Sequence, residues 1–240
     1  RAGYAIVAVV QLALAAAFVL TRQRWDRPSS AASGQPPTPG APLAATLRLP
    51  LVWLAIALFF VYTGMEVATG NWAFSLLTEA RGVSPALAGT WVSLYWASLT
   101  LGRILFGFLV QWVAPHTLLR WCMAASVLGA LLIWVNLALH LTFAGIALLG
   151  LALAPQFPLL ISATPGYLGL RHANNGVGVQ VAAASLGGAL LPSLIGVLAR
   201  ARGLEVIGPF LFIAALIMTA LFELLLWRLP RAADGARGRL

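Results

Sequence analysis

Apolar residues run along this 240-residue chain in long stretches separated by short polar joints. Seven stretches can be drawn, at 2–20, 51–77, 85–113, 117–139, 141–163, 173–199 and 206–229. Most reach or exceed the ~20 residues that a helix needs to cross a bilayer core. The alternating ten-residue segments of a membrane β-barrel are absent. The pattern predicts an all-α polytopic membrane protein with seven transmembrane helices. The first run follows Arg1 as a signal peptide would. Its apolar stretch is longer than a signal core, however, and Arg22 and Arg24 follow it, so a spanning helix is expected.

Between the first and second runs lies "RQRWDRPSSAASGQPPTPGAP", dominated by proline, serine, glycine and alanine. Such a segment buries too little apolar surface to fold alone. The expected organisation is a single helix over 1–20, a disordered linker over 21–49, a six-helix bundle over 50–229 and a tail over 230–240.

Composition strengthens the membrane reading. Hydrophobic residues make up 61% and charged residues 9%, against roughly 25% charged in soluble domains. Mean hydropathy is +0.92. The net charge is +9, and all 15 basic residues are arginine. They lie between apolar runs, where they set topology, so no nucleic-acid partner is expected. With the linker placed in the cytoplasm, ten arginines fall on that side and four on the other, while Arg103 lies within a run. Linker and tail are therefore expected to be cytoplasmic. The absence of lysine excludes a retinal Schiff base. No zinc-ligand spacing or nucleotide-binding glycine loop occurs, and no nucleophile–base pair or metal motif is visible. The expectation is a non-enzyme without metal or cofactor.

Candidate chemistry sits inside the apolar runs. Glu66 lies near the middle of one, in "YTGMEVATGNW". A carboxylate at mid-bilayer costs roughly 2.5–3.5 kcal/mol, so it must face protein or water. At 100° per residue Tyr62, Thr63, Thr69 and Gly70 share its face. A cavity-facing role and a structural pairing with a neighbouring helix are both open from the spacing. In "SLYWASLTLGRILFG", Ser93, Trp96 and Thr100 line one face. Arg103 falls near the cytoplasmic side, where snorkelling or pairing with a helix end gives a structural or gating role.

"LAPQFPLLISATPG" places Gln156 between Pro155 and Pro158. Each proline removes a donor, leaving the carbonyls of Leu151 and Ala154 to find other partners. A packing kink and a broken helix beside a cavity are both consistent with this. In the next run Gly176, Gln180, Ala184, Gly188, Pro192 and Gly196 recur every four residues, a ridge for close helix packing interrupted by Gln180. Tyr62, Glu66, Thr69, Trp96, Gln156 and Gln180 form the candidate binding or coupling face.

These segments resemble the C-terminal part of a major facilitator superfamily transporter, from the last helix of the first half onward. "GRILFGFLVQWVAPHTLLRW" is similar to the loop motif Gly-x-Leu-x-Asp-x-x-Gly-Arg-Arg, with Gln111 where the acid belongs and Arg120 as the remaining base. "YTGMEVATGNW", "LAPQFPLLIS" and "RHANNGVGVQVAAASLGGALLPSLIG" are similar to the fucose–glucose–galactose proton symporter branch. The resemblance implies two six-helix halves rocking around a midplane site. It makes the first helix the sixth of the full transporter and implies a partner N-terminal half upstream of Arg1. An outward start without methionine and an odd helix count fit that expectation.

The implied function is secondary active transport of a small polar solute, such as a sugar, driven by a proton or other cation. The alternative is a non-transporting receptor or partner-binding subunit of the same fold. An all-arginine chain points to a GC-rich bacterial genome, so the expected location is the bacterial inner membrane. Gln111, Arg120, Arg103, Pro155, Pro158 and Gly188 are the candidate gating or structural positions.

Overall fold

A computed structural model describes residues 2–21 and 40–229, which fall into two separate units. In the first unit, helix α1 (Ala2–Thr21) is apolar apart from Gln11 and the terminal Thr21. Residues 22–39 of the linker, expected to be disordered, and the tail over 230–240 lie outside the described residues.

The second unit opens with a short helix, α2 (Leu43–Leu47), and continues through α3 (Pro50–Ser75), α4 (Pro85–Leu109), α5 (Pro115–Val135), α6 (Leu139–Leu153), α7 (Gln156–Leu168), α8 (Leu170–Arg202) and α9 (Ile207–Arg228). A π-helical turn, Leu76–Ala80, prolongs α3, and a 3₁₀ turn, Leu204–Val206, leads into α9. With α6 and α7 taken as one broken span, six helical segments among the described residues are long and apolar enough to cross a membrane. An all-α polytopic membrane protein is what the hydropathy pattern requires.

Local chemistry marks the boundaries. Pro50, Pro85 and Pro115 sit in the first turns of α3, α4 and α5, where a missing N–H costs nothing. Asn136, at φ 47°, closes α5 in the left-handed conformation its short amide tolerates. Gly203, at φ 84°, turns the chain out of α8.

Lipid tails are as apolar as leucine, so the helices gain by close packing rather than by escaping water. Small residues provide it. A Cβ built on Gly145 of α6 would stand 2.7 Å from the Gly129 carbonyl oxygen of α5, and one on Gly150 would stand 2.6 Å from that of Tyr95 on α4. On α8, Gly176, Gln180, Ala184 and Pro192 of the four-residue ridge are buried. The tightest α3–α8 contact is nevertheless at Gly187, the neighbour of Gly188.

Two features differ from the sequence expectation. Residues 40–49 are ordered, although composition assigns them to an unstructured linker. Ala41 and Thr46 are buried. The Ala41 N–H donates to the Arg171 carbonyl (2.9 Å), the Asn175 amide donates to the Ala41 carbonyl (2.7 Å), and Thr46 Oγ1 bonds His172 Nδ1 (2.9 Å). These contacts with the start of α8 hold α2 in a way average composition does not register. The fifth span is also longer than the apolar run of 141–163, running from Leu139 to Leu168, and it is two helices, the broken form that its prolines left open.

At the end of the bundle opposite α2, one side chain ties the connections together. Arg81, just after the π turn, is 4% exposed in its side chain. Its Nε and Nη2 donate to Glu205 (3.0 and 2.8 Å), its Nη1 to Thr142 Oγ1 (2.8 Å), and Nη2 also to the Ile133 carbonyl (2.8 Å). Thr142 in turn donates to Asn136 Oδ1 (3.0 Å). The turn after α3, the α5–α6 corner and the α8–α9 connection thus share one guanidinium.

Candidate functional site

The candidate site is built around Glu66 on α3. Four residues is about one helical turn, which stacks Tyr62 on the same face. The Tyr62 hydroxyl lies in hydrogen-bond contact with Glu66 Oε2, and it also lies 3.1 Å from the Leu153 carbonyl at the end of α6. From α4, the Tyr95 hydroxyl donates to the Glu66 main-chain carbonyl (2.8 Å). Arg103 Nη2, on the same helix, stands 3.9 Å from Glu66 Oε1. The carboxylate has one oxygen toward a phenol and the other toward a guanidinium.

Exposure is uneven. The Glu66 side chain is 14% accessible and that of Arg103 is 51%. The acid is sheltered within the bundle, and the guanidinium beside it is half exposed. An intramembrane carboxylate with a cationic neighbour is costly to keep, and such groups mark substrate or ion paths.

Trp96 stands beside this group. A Cβ on Gly70 would fall 2.3 Å from its indole ring, so the glycine is what lets the ring come this close to α3. Trp96 is exposed and meets Tyr95 edge-on at 5.2 Å. Thr69 is buried, with its hydroxyl donating to the Met65 carbonyl (2.8 Å). Tyr62, Glu66, Thr69 and Trp96 are therefore neighbours along one α3–α4 seam.

The two glutamines lie elsewhere. Gln156 is fully buried, and its Nε2 donates to Ser126 Oγ on α5 (3.0 Å) and to the Ala152 carbonyl (3.0 Å), while its Oε1 has no partner. Gln180 is also fully buried, accepting from Thr164 Oγ1 (2.9 Å) and donating to the Tyr167 hydroxyl on α7. Each joins two helices through its amide.

The helix break now has a chemical account. Pro155 cannot donate to Leu151, nor Pro158 to Ala154. Around these positions the Tyr62 hydroxyl reaches the Leu153 carbonyl and the Gln156 amide caps that of Ala152. Gly102 lets α4 press against the bend, since a Cβ there would meet the Ala154 methyl at 2.5 Å and the Leu151 oxygen at 3.0 Å.

Among the candidate gating or structural positions, Gln111 is exposed in the connection after α4. Arg120, on α5, makes a two-pronged pair with Glu223 of α9, Nε to Oε1 at 2.6 Å and Nη2 to Oε2 at 2.7 Å. Glu223 was not among the candidates read from the sequence, although an acid inside an apolar run is the same signal that marks Glu66. Tyr95 was not legible, because an aromatic in an apolar helix gives no sign of where its hydroxyl points.

A helical domain with long apolar spans and a sheltered carboxylate inside one of them is an integral membrane protein. Residues 54–239 match the family model of the Major Facilitator Superfamily, and the chain belongs to that family. It is also similar to Bypass of stop codon protein 6 of Saccharomyces cerevisiae (strain ATCC 204508 / S288c), with 30% identity over 188 residues. That match covers 74% of this chain and 37% of the yeast protein, so the chain spans well under half of its relative's length.

Proposed function

We propose that the protein is part of a secondary active transporter that moves a small polar solute by alternating access. The carrying observation is Glu66, an intramembrane carboxylate held between Tyr62 and a half-exposed Arg103. Trp96 offers an aromatic surface beside it for the apolar face of a sugar-like ring. The motif similarities to the fucose–glucose–galactose proton symporters favour a sugar and a coupling proton. Tyr62, Glu66, Thr69 and Trp96 form the primary contact group, and Gln156 and Gln180 are further candidates apart from it. Pro155, Pro158 and Gly188 shape the moving helices, and Arg103, Gln111 and Arg120 lie where a gate would act.

In this reading a first six-helix half completes the site across the open face of α4 and α8. The arginine bias orients the linker and tail to the cytoplasm, in a bacterial inner membrane. The test is an uptake screen of sugars and other small polar solutes with the full-length protein, followed by counterflow in proteoliposomes. Saturable accumulation supports transport. Binding of a solute without any flux would instead favour the receptor reading.

A further inference from the structure

The Tyr62 hydroxyl has one hydrogen and two acceptors. Glu66 Oε2 and the Leu153 carbonyl oxygen both lie in hydrogen-bond contact with it. A carboxylate and a carbonyl are acceptors only, whereas a protonated carboxyl donates. Both bonds can be complete only when Glu66 carries the second hydrogen. The geometry points to a proton site on Glu66 Oε2 whose occupancy is read, through Tyr62, by the α6–α7 break. The inference deepens the coupling role proposed above, but it concerns protonation and backbone alone.

Two states follow from the donor count. With a proton on Oε2, Glu66 donates to the Tyr62 oxygen, Tyr62 donates to Leu153, and the end of α6 is capped. When that proton leaves to water, the carboxylate takes the phenolic hydrogen and Leu153 loses its donor. The break already lacks the N–H groups of Pro155 and Pro158, so another uncapped carbonyl there loosens the joint. Arg103, 3.9 Å from Oε1, strengthens its hold on the charged form and relaxes its hold on the neutral one.

The other charged and titratable groups do not take over this role. On α4, the Tyr95 hydroxyl is committed to the Glu66 main-chain carbonyl. On α6 and α7, His140 and Tyr167 stand near the far ends of the broken span, and α8 carries Arg171, His172, Arg200 and Arg202 near its ends. On α9, the Glu223 carboxylate is held by Arg120.

The test uses the full-length protein in lipid nanodiscs, with infrared spectroscopy of the carboxyl stretch and amide hydrogen exchange over residues 151–160 across a pH series. The carboxyl band assigned by its loss in Glu66→Gln should disappear as pH rises. Exchange over 151–160 should speed up in step by about fivefold, the factor that one net hydrogen bond supplies. Glu66→Gln, whose amide always donates to Tyr62, should hold exchange at the slow level at every pH. Tyr62→Phe should hold it at the fast level while the Glu66 band still titrates. The proposal is overturned by exchange that ignores the loss of the Glu66 carboxyl band, by pH dependence that survives in Tyr62→Phe, or by the absence of a Glu66 carboxyl band throughout the series. Should Tyr62→Phe not fold, the wild type and Glu66→Gln still decide the matter. Because no flux is measured, failure here leaves the transport reading intact, and an absence of uptake leaves this site intact.

Discussion

Gly187 on α8 lies so close to Phe60 on α3 that a Cβ built on it would stand 1.9 Å from the Phe60 carbonyl oxygen. The approach is reciprocal, since a Cβ on Gly64 of α3 would stand 2.9 Å from the Gly187 oxygen. Backbone cannot yield as a side-chain tip does, so any substituent must drive the helices apart. Gly187→Ala should destabilise the bundle by about 1–3 kcal/mol, the usual range for overpacking. Gly178→Ala, on the same helix with open space around it, should be neutral or slightly stabilising. Thermal unfolding in detergent compares the two, and equal Tm values would dismiss the close-approach argument.

The clamp at the opposite end from α2 predicts an ordering of its own. Glu205 is 52% exposed, so its pairing with Arg81 contributes little in water. The buried bonds to Thr142 and the Ile133 carbonyl matter more, since bonds to a charged group contribute about 1.5–3 kcal/mol. Arg81→Ala should therefore lower Tm clearly more than Glu205→Gln. Arg81→Lys should behave like the alanine variant, because an ammonium cannot reproduce the planar fork. A Tm for Arg81→Lys matching the wild type would show that charge alone holds this end.

Much of the fold was legible because the bilayer imposes a simple length and polarity rule. The six long spans follow the apolar runs, and Pro50, Pro85 and Pro115 mark three of their starts. The spacing argument also gathered Tyr62, Glu66 and Thr69 on one face of α3. What it could not supply were pairings between helices. Arg103 looked like a headgroup anchor from its depth along α4, yet its long side chain reaches Glu66. Gln156 and Gln180 looked alike as polar groups in apolar runs, but neither spacing nor composition says that their amides end on Ser126 and on Thr164 with Tyr167. The four-residue ridge on α8 was visible, while the closest contact fell one residue away, at Gly187.

Orientation has its own check. Gln111 and Leu137 are both exposed and lie at opposite ends of α5. Cys122, the chain's single cysteine, is buried with its thiol in the bundle and gives little background in a labelling experiment. In the proposed topology Gln111→Cys reacts with an impermeant maleimide only from the cytoplasmic side, and Leu137→Cys only from the other. The reverse pattern would overturn the arginine-based orientation.

The most direct measurement of the central claim, that Glu66 is a working group of a transport site, is uphill uptake and equilibrium exchange by Glu66→Gln and Glu66→Leu in the full-length protein. Gln retains the shape and the donor to Tyr62 but removes the charge that Arg103 faces. Uphill uptake should fall by about tenfold or more in both variants, a barrier increase of about 1.4 kcal/mol. If the residue couples a proton, Glu66→Gln should keep exchange while losing uphill uptake; if it grips the solute, the two should fall together. Uphill uptake close to wild type in both variants, at equal amounts of folded protein, would contradict the account and leave Glu66 as a packing residue.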